Sequence, residues 1–463
     1  MATPVVPMTG TDTVLWSIER DRLLRSTVTA VLLLDRTPDF DLLRRRIERT
    51  VAYFPRLAQH VVEPRLGLGR PRWVDDPAFD LDYHLRVVAA PAERPRWLMD
   101  FAATFAAAGF DRDRPLWEMV LVEGLEHKGA AIVLKLHHAM SDGVGAVELL
   151  ASVVDFTRHP RREVEPKAAP APAPPAIPVT PLFGRDTAEL ARIGRETVDR
   201  ARHRTARLFG AADPPALLAR MLDTGASVWR VLAPATDRLS PAFSGMSTRW
   251  RFDIHEVSLD ALHDAAKSVG ASVNDAFVAA VTGGLHRYHH KLGHEVGALR
   301  INLPVSFRHP GDPLGSNRFT PVRFVLPVAE LDPAARIRTM RNRCHRAITE
   351  PALPLTDAIA SVLSMLPAPV TTAVLGSLLK GLDFVATNIP GISTRCFIAG
   401  AEVVRAFSFA PLSGAAVNVA LLSLNGRACI GVNMDRDAVE DPDLLMACLV
   451  DSFDEITSVG TAS

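Results

Sequence analysis

The sequence predicts a mixed α/β or α+β protein built in two halves. The chain has 463 residues, more than one ordinary hydrophobic core accommodates. Both halves alternate β-branched apolar runs, typical of strands, with apolar residues at helical spacing. Residues 160–181 are rich in proline and alanine and separate the two halves, because such a composition favours extended conformations over packing.

The first half, residues 1–158, is predicted to contain four strands and three helices. Residues 26–34 (STVTAVLLL) are β-branched and apolar, as in a buried strand, and residues 79–88 (FDLDYHLRVV) alternate. Two further apolar runs flank the turn at 124–129 and form a strand pair. The predicted strands are 26–34, 79–88, 116–123 and 130–136, and the predicted helices are 40–52, 96–109 and 144–156.

A linker at residues 159–185 is predicted to lead into a second subdomain at residues 186–463. This second half again alternates the two kinds of element, without a short-period repeat. Its predicted strands are 248–257, 299–306, 320–328, 401–407, 416–422 and 428–433. Its predicted helices are 186–209, 215–232, 260–269, 272–288, 330–348 and 441–457.

The composition excludes several classes of protein. A formal net charge of +0 argues against nucleic acid as the main partner, because phosphate binding needs a basic excess. The four cysteines are scattered without a CxxC pair, which predicts neither a zinc nor a redox motif and fits a reducing cytoplasmic setting. No signal peptide and no window of ~18 apolar residues is seen, so we expect the protein to be soluble or to lie on a membrane without crossing it.

The stretch LHHAMSDG at residues 136–143 carries the strongest chemical signal. Histidine is the usual side chain for accepting a proton near neutral pH, so His137 or His138 is a candidate base for activating an alcohol. Adjacent side chains on a strand face opposite ways, so one histidine would face a cleft and the other would pack behind it. Asp142 would orient an imidazole or hold the loop, and Gly143 would let the backbone bend tightly.

Other interpretations of this stretch stay open. A single buried histidine is more often a satisfied core group than a base. Two histidines and an aspartate are also plausible metal ligands, although diverging neighbours on a strand make a shared metal less favourable, and no metal site is predicted. Ser141 lacks a Gly-x-Ser-x-Gly nucleophile elbow, and the GVG at 143–145 lacks the rest of a dinucleotide-binding fingerprint.

The motifs resemble those of a known family. The HHxxxDG pattern is similar to that of the acyl-CoA-dependent acyltransferase superfamily, which includes peptide-synthetase condensation domains. More of the chain, from about Gly10 to its end, resembles one branch, the bacterial wax ester synthase/acyl-CoA:diacylglycerol acyltransferase (WS/DGAT) family. The matching motifs are PLW at Pro115, Leu116 and Trp117, ND at Asn274 and Asp275, and NIPG at Asn388, Ile389, Pro390 and Gly391.

The resemblance implies a fold and roles for these residues. It implies two chloramphenicol-acetyltransferase-like subdomains with a tunnel between them, which acyl-CoA enters as a co-substrate, without a resident cofactor. His138 would be the general base, His137 would support it, and Asp142 would keep the loop in shape. Asn274 and Asp275 would hold a helix near the tunnel. The tunnel mouth would be shaped by Asn388, Pro390 and Gly391.

Ordinary structural roles compete with several of these assignments. Trp117 is suited to core packing, and Asn274 follows Ser272 near a helix start, where capping is expected. The NIPG stretch has the composition of a turn. Two segments depart from the family pattern, SLNG at 423–426 and SPAFSGMSTR at 240–249, and these departures affect an expected pocket contact and a substrate-facing loop.

The resemblance implies an O-acyltransferase acting on lipid alcohols. It would move a long-chain acyl group from acyl-CoA to diacylglycerol, giving triacylglycerol, or to a long-chain alcohol, giving a wax ester. Alternatives are a condensation-type enzyme with another acceptor or a carrier-protein donor, and a catalytically inactive lipid-binding scaffold. Lipid substrates also imply peripheral binding at the inner membrane or at lipid droplets. Residues 367–379 would either enter such an interface or form a buried helix.

Overall fold

The computed structural model describes residues 6–64, 69–91, 94–159, 237–306, 319–350 and 356–460. Within these ranges the chain forms two six-stranded sheets and one three-stranded sheet, with helices packed against them. The mixed α/β class is confirmed. The predicted helices at 186–209 and 215–232 lie outside the described residues, as does the predicted linker at 159–185 apart from its first residue.

The first half of the chain supplies seven strands and five α-helices among the described residues, besides three short 3-10 helices. The strands are β1 (Val6–Pro7), β2 (Thr27–Leu34), β3 (Gln59–Val62), β4 (Arg72–Asp75), β5 (Leu85–Ala89), β6 (Trp117–Glu123) and β7 (Ala130–His137). The helices are α1 (Gly10–Ile18), α2 (Phe40–Tyr53), α3 (Leu81–His84), α4 (Trp97–Ala107) and α5 (Gly143–Val153).

The second half supplies eight strands and six helices among the described residues. The strands are β8 (Trp250–Ser258), β9 (Ala298–Ser306), β10 (Phe319–Pro327), β11 (Phe384–Ile392), β12 (Phe397–Ile398), β13 (Ala401–Phe409), β14 (Val417–Leu424) and β15 (Arg427–Asp435). The helices are α6 (Leu259–Ser268), α7 (Val273–Lys291), α8 (Pro333–Ile348), α9 (Thr356–Leu363), α10 (Ala368–Leu379) and α11 (Pro442–Thr457).

The sheet of the first half includes strands from the second half. Its order is β12-β13-β2-β7-β6-β5, and β13 pairs antiparallel with β2. β2 in turn pairs with β7, with Thr27 opposite His137. A division of the chain by sequence position alone does not anticipate this crossing strand pair. The boundaries proposed around residues 159–185 stay a prediction.

The sheet of the second half has the order β10-β9-β11-β14-β15-β8. Its central strands β11 and β14 run parallel. Nearly all of β14 is buried, whereas β11 is buried over its first three residues and at Ile389. The long helix α7 packs on one side of this sheet together with α11. Across the other side, Phe252 of β8 stacks on Phe409 of β13 with ring centroids 3.9 Å apart, which joins the two six-stranded sheets.

Two predicted segments differ from the structure. Residues 79–88 were expected to be one strand, but residues 81–84 form the short helix α3, because Asp80 accepts a hydrogen bond from the Asp82 N–H and starts a helical turn. The NIPG stretch was expected to be a turn, but it lies in β11, where the register shifts between Ile389 and Ile392. That shift is a bulge, which accommodates the proline and glycine within a strand.

Candidate active site

His137 and His138 lie on opposite sides of the end of β7. The His137 N–H donates to the Leu116 carbonyl at 3.0 Å, on the side of β6. The His138 N–H donates to the Ser26 carbonyl at 2.8 Å, on the side of β2. His137 is fully buried, whereas the half-buried His138 lines a cavity. The alternation expected for adjacent residues at a strand end therefore separates the two imidazoles.

The contacts of His137 indicate a structural role. Its Nδ1 accepts the Ala139 N–H at 3.0 Å, so a neutral ring carries its proton on Nε2, which faces the Glu19 carboxylate at 3.4 Å. Trp16 and Phe110 approach the ring edge-on, each with centroids 5.9 Å away. These contacts fix the turn that follows β7, and with it the position of His138.

Glu19 is the main residue of this region that sequence reasoning missed. Its Oε2 accepts the Ser26 N–H at 2.8 Å, and the carbonyl of the same Ser26 holds the His138 N–H. Burial raises the pKa of Glu19, but the contact with His137, the Ser26 N–H and the charge of Arg25 outweigh it, so the pKa lies below its usual value of 4.5. No spacing in the sequence links Glu19 to the motif, because the link is formed by the pairing of β2 with β7.

Asp142 caps helix α5 in addition to lining the cavity. Its Oδ1 accepts the Gly145 N–H at 2.8 Å, and its side chain is buried. A carboxylate at this position satisfies an N–H of the first helical turn and holds the loop between β7 and α5. This geometry agrees with the expected part of Asp142 in keeping the loop in shape.

Gly143 allows close approach of a neighbouring strand and does not form a tight bend. It lies outside the glycines with positive φ, so the backbone there does not need glycine's freedom. A Cβ on Gly143 would lie 3.2 Å from Cδ1 of Ile389 on β11, which is tighter than ordinary contact. The small residue therefore lets the start of α5 in the first half approach the central strand β11 of the second half closely.

The cavity beside His138 has a volume of about 270 Å³ and is shared by the two halves. Its walls come from α1, β2 and the loop after β7 on one side, and from β9, β10, β11, α9 and α10 on the other. Most of the lining is apolar. The apolar lining residues include Val14, Leu15, Ile18, Val28, Ile359, Leu363, Leu375, Leu378, Leu379, Val385 and Ile389.

The PLW residues support the site from behind and do not line the cavity. Pro115 and Leu116 are buried, and Leu116 provides the carbonyl that holds the His137 N–H. The Trp117 Nε1–H donates to the Leu57 carbonyl at 2.8 Å, and its ring stacks on His84 at 4.6 Å. In this structure Trp117 therefore has a packing role.

The ND pair lies at the start of α7. Ser272 and Asp275 form a capping box, in which an Asp275 oxygen accepts the Ser272 N–H at 2.9 Å and the Ser272 hydroxyl accepts the Asp275 N–H. Asn274 is half-buried beside them. Asp275 thus holds the start of the helix together with Ser272, and neither Asn274 nor Asp275 lines the cavity near His138.

The NIPG stretch reaches the cavity through only part of its length. Asn388 and Ile389 line the cavity, whereas Pro390 and Gly391 do not, and Pro390 is exposed. The Gly391 N–H donates to the Ser423 hydroxyl at 2.9 Å, and a Cβ on Gly391 would overlap the Ser423 carbonyl oxygen. Pro390 and Gly391, expected at the tunnel mouth, therefore do not line this cavity, and Gly391 instead packs β11 against β14.

The two segments that depart from the family pattern do not reach the cavity either. SLNG at 423–426 forms the hairpin between β14 and β15, with φ of 45° at Asn425 and 77° at Gly426, as an Asn-Gly turn requires. The backbone of residues 240–249 is held by two carboxylates: the Ser240 N–H donates to Asp383, and the Ser247 N–H donates to Asp435. Neither departure changes the lining around His138.

The arrangement suits acid–base chemistry on a lipid alcohol. Nowhere in the described ranges do three His, Cys, Asp or Glu side chains come together as a metal site would require. His138 stands on the wall of a largely apolar cavity, where it can take a proton from a hydroxyl group.

Comparisons with known proteins decide the family. The model of the wax ester synthase/diacylglycerol acyltransferase catalytic domain matches residues 8–277, and the model of the WS/DGAT C-terminal domain matches residues 315–457. The chain belongs to this family. It is therefore an acyltransferase of the wax ester synthase/diacylglycerol O-acyltransferase type, and the family resemblance of its motifs is confirmed.

Individual relatives agree with this assignment. A Mycobacterium tuberculosis protein whose name is that of a diacylglycerol O-acyltransferase is 37% identical over 439 residues, covering 94% of this chain and 88% of the relative. The solved wax ester synthase/diacylglycerol acyltransferase of Marinobacter aquaeolei VT8 shares the fold at a TM-score of 0.64 and 18% identity, over 97% and 98% of the two chains. The first condensation domain of the calcium-dependent antibiotic synthetase also shares the fold, with a TM-score of 0.60 and 15% identity over 100% and 97%.

Proposed function

We propose that this WS/DGAT member transfers a long-chain acyl group from acyl-CoA to diacylglycerol or to a long-chain alcohol, with His138 as the general base. The observation that carries the proposal is the position of His138. Its imidazole lies on the wall of an apolar cavity that both halves build, while its neighbour His137 is sealed behind it. An apolar cavity matches the long hydrocarbon chains of both substrates.

The proposed step transfers the acyl group directly. A ring nitrogen of His138 takes the proton of the acceptor hydroxyl as the alcohol oxygen attacks the thioester carbon. The tetrahedral intermediate then collapses, the carbon–sulfur bond breaks, and the departing thiolate takes the proton back from the imidazolium. The ester and the free thiol leave with His138 neutral again. Asp142, bound to the Gly145 N–H, holds the loop and takes no part in the proton transfer.

We further propose that helices α9 and α10 bind a lipid surface. Residues 359–379 contain no charged residue. Four large apolar side chains in this stretch are exposed although their helices also form the cavity wall, so a single layer of helix separates the cavity from the outside. They are Val362, Leu366, Val370 and Val374. Exposed apolar residues concentrated beside a lipid cavity favour a membrane or droplet surface as the partner. No helix in the described part of the chain is long and apolar enough to span a bilayer.

The test of the reaction is thiol release from palmitoyl-CoA, with and without diacylglycerol or hexadecanol, together with chromatography of the lipid product. The proposal predicts release that depends on an alcohol, and it predicts triacylglycerol or wax ester as the product. Release without dependence on an alcohol would indicate a thioesterase. Release only from a palmitoyl-carrier protein would identify a condensation-type donor, and binding without release would identify an inactive scaffold.

The test of the lipid surface uses Val370→Asp combined with Val374→Asp in a liposome flotation assay. Both side chains are exposed, at 46% and 38%, so the substitutions leave the core intact. Leu378, by contrast, is buried on the cavity side and is unsuitable for such a test. Leu331→Asp serves as a control, because Leu331 is 68% exposed and belongs to the connection between β10 and α8 rather than to α9 or α10. Equal binding of the double variant and the control variant would rule out α10 as the binding surface.

A further inference from the structure

A row of polar side chains crosses the face of the second sheet at one end of the cavity. Arg323 on β10 lies opposite Asn302 on β9, which lies opposite Val385 on β11, which lies opposite Asn418 on β14. Residues directly opposite on neighbouring strands share a face of the sheet. Arg323, Asn302 and Asn418, with Val385 between the two asparagines, all line the cavity. We call these three polar residues the amide row.

The amide row presents hydrogen-bond acceptors inside an otherwise apolar cavity. Asn302 is 5% exposed and Asn418 is 1% exposed. The Asn418 Nδ2 donates to the Pro411 carbonyl at 2.8 Å, and this bond fixes the orientation of the amide. Within the described ranges, neither Asn302 Oδ1 nor Asn418 Oδ1 has a hydrogen-bond partner. A buried acceptor without a donor is costly, so a ligand that supplies N–H or O–H groups gains from meeting it.

Arg323 adds a cationic donor to the same end of the cavity. Its guanidinium donates to the Leu378 carbonyl, which holds the side chain against α10. Burial, with the charge of Arg300, lowers the pKa of Arg323 to about 10, and the group stays protonated at neutral pH. The amide row therefore offers acceptors from two asparagines and a donor from the arginine, which is the complement of an amide group.

The rise along β11 gives an approximate separation between the amide row, which is in register with Val385, and the loop after β7. Ile389, which contacts Gly143 of the catalytic loop, lies four residues along β11 from Val385. At ~3.3 Å per residue in a parallel strand, this separation is about 13 Å. The pantetheine arm of a thioester carries two amides, and its distal amide nitrogen is eight bonds from the thioester carbon. An extended chain of that length spans roughly 10 Å, given bond lengths of ~1.3–1.5 Å.

We propose that the amide row binds the distal part of the pantetheine arm of the acyl donor, through Asn302, Asn418 and Arg323. This inference rests on the proposed function, because it places the donor thioester beside His138. Diacylglycerols and long-chain alcohols contain no N–H group, and their one hydroxyl is required at His138. The pantetheine arm supplies both the N–H groups that the asparagine oxygens accept and the carbonyl that the arginine contacts.

The test compares donors that differ in the distal amide. Palmitoyl-CoA and palmitoyl-pantetheine contain it, whereas S-palmitoyl-N-acetylcysteamine contains only the proximal amide. Asn302→Ala and Asn418→Ala are each expected to raise the KM for the first two donors by about three- to tenfold, which corresponds to one neutral hydrogen bond. The KM for the truncated donor and the KM for the alcohol are expected to stay unchanged.

Asn433→Ala is the matched control. Asn433 lies opposite Asn418 in the next strand, and its Nδ2 donates to the Ala410 carbonyl at 3.1 Å, beside the Pro411 carbonyl that Asn418 holds. Asn433 does not line the cavity. An effect that arises from loosening the loop at 410–411 would appear equally in Asn433→Ala, and an equal effect on all three donors would overturn the proposal. A raised KM for the alcohol would instead assign the amide row to the acceptor.

Direct binding separates this proposal from the proposed function. Calorimetric titration measures the affinity of wild type, Asn302→Ala and Asn433→Ala for palmitoyl-pantetheine, without turnover. Weaker binding in Asn302→Ala alone supports the subsite even if no alcohol is acylated, in which case only the proposed function fails. Equal binding by all three proteins overturns the subsite, whether or not the wild type turns over.

Discussion

The two adjacent histidines at the end of β7 have different surroundings. Behind the strand, His137 is enclosed by Trp16, Phe110 and Glu19, and its Nδ1 already accepts the Ala139 N–H. In front of the strand, His138 faces a cavity of about 270 Å³. The backbone of both residues is anchored, to Leu116 and to Ser26.

Under the proposed assignment, one short motif supplies two functions. A residue that positions others is useful when it is buried and fully bonded, because such a group has one conformation. A residue that transfers protons must reach substrate, so it is useful only on the cavity wall. Adjacent positions at a strand end meet both needs at once, since their side chains point apart.

The largest effect is expected for His138→Ala. Loss of the base should lower kcat for alcohol-dependent thiol release by ~10²-fold or more. The free energy of unfolding should change by less than ~1 kcal/mol, because the ring is only half-buried and borders a cavity. Retained kcat in this variant would show that proton transfer lies elsewhere.

The next effect is expected for His137→Ala, and it should appear in stability. The substitution removes a fully buried ring and leaves the Glu19 carboxylate without its contact. We expect the free energy of unfolding to fall by about 2–4 kcal/mol. Denaturant titration measures this loss, with His263→Ala as a control, because the His263 side chain is 56% exposed. Equal losses in the two variants would contradict the structural part assigned to His137.

A smaller and pH-dependent effect is expected for Glu19→Gln. The folded pKa of Glu19 is lowered, so its carboxylate stabilises the fold at pH values above its unfolded pKa, near 4.5. The stability difference between wild type and variant should therefore be present at neutral pH and disappear as the pH falls through the lower folded pKa. Denaturant titrations across this range measure the difference, and a difference independent of pH would remove the assigned charge interaction.

The smallest effect concerns buried histidines away from the site. Burial lowers the pKa of His84 and of His289 below 6.5. As the pH falls, these histidines take up protons in the unfolded chain before they do so in the folded protein. Their contribution to the free energy of unfolding is therefore fully present above about pH 6.5 and is lost as the pH falls through the folded pKa values. The loss is up to ~1.4 kcal/mol per unit of pKa shift for each group. Replacing both with glutamine should flatten this decline in the free energy of unfolding, and an unchanged slope would exclude them as its cause.

Local patterns in the sequence predicted most regular elements. The apolar runs around residues 26–34 and 130–136 form the pair β2 and β7, and the cap at Ser272 begins α7 as expected. The pattern failed where local polar groups changed the backbone, as Asp80 does at the start of α3. It also failed for NIPG, because its strand conformation depends on pairing with β14, which is remote in sequence.

The candidate site was predictable only as far as its motif reaches. The positions of His138 and Asp142 follow from the strand, the loop and the helix cap, all within a few residues. Glu19 and Ile389 join the site through strand pairing and through contact between the two halves. Such contacts bring together residues far apart in the chain, and periodicity or spacing cannot reveal them.

The central claim is that His138, and not His137, is the general base, and a pH–rate profile tests it most directly. A base must be neutral to accept a proton, so alcohol-dependent release should fall about tenfold per pH unit below its apparent pKa. His138→Gln should leave a slow residual rate that lacks this acidic limb, the fall in rate at low pH. His137→Gln should keep the limb in the pH range where the variant remains folded. If His138→Gln keeps the limb and His137→Gln loses it, the assignment of the two histidines is contradicted.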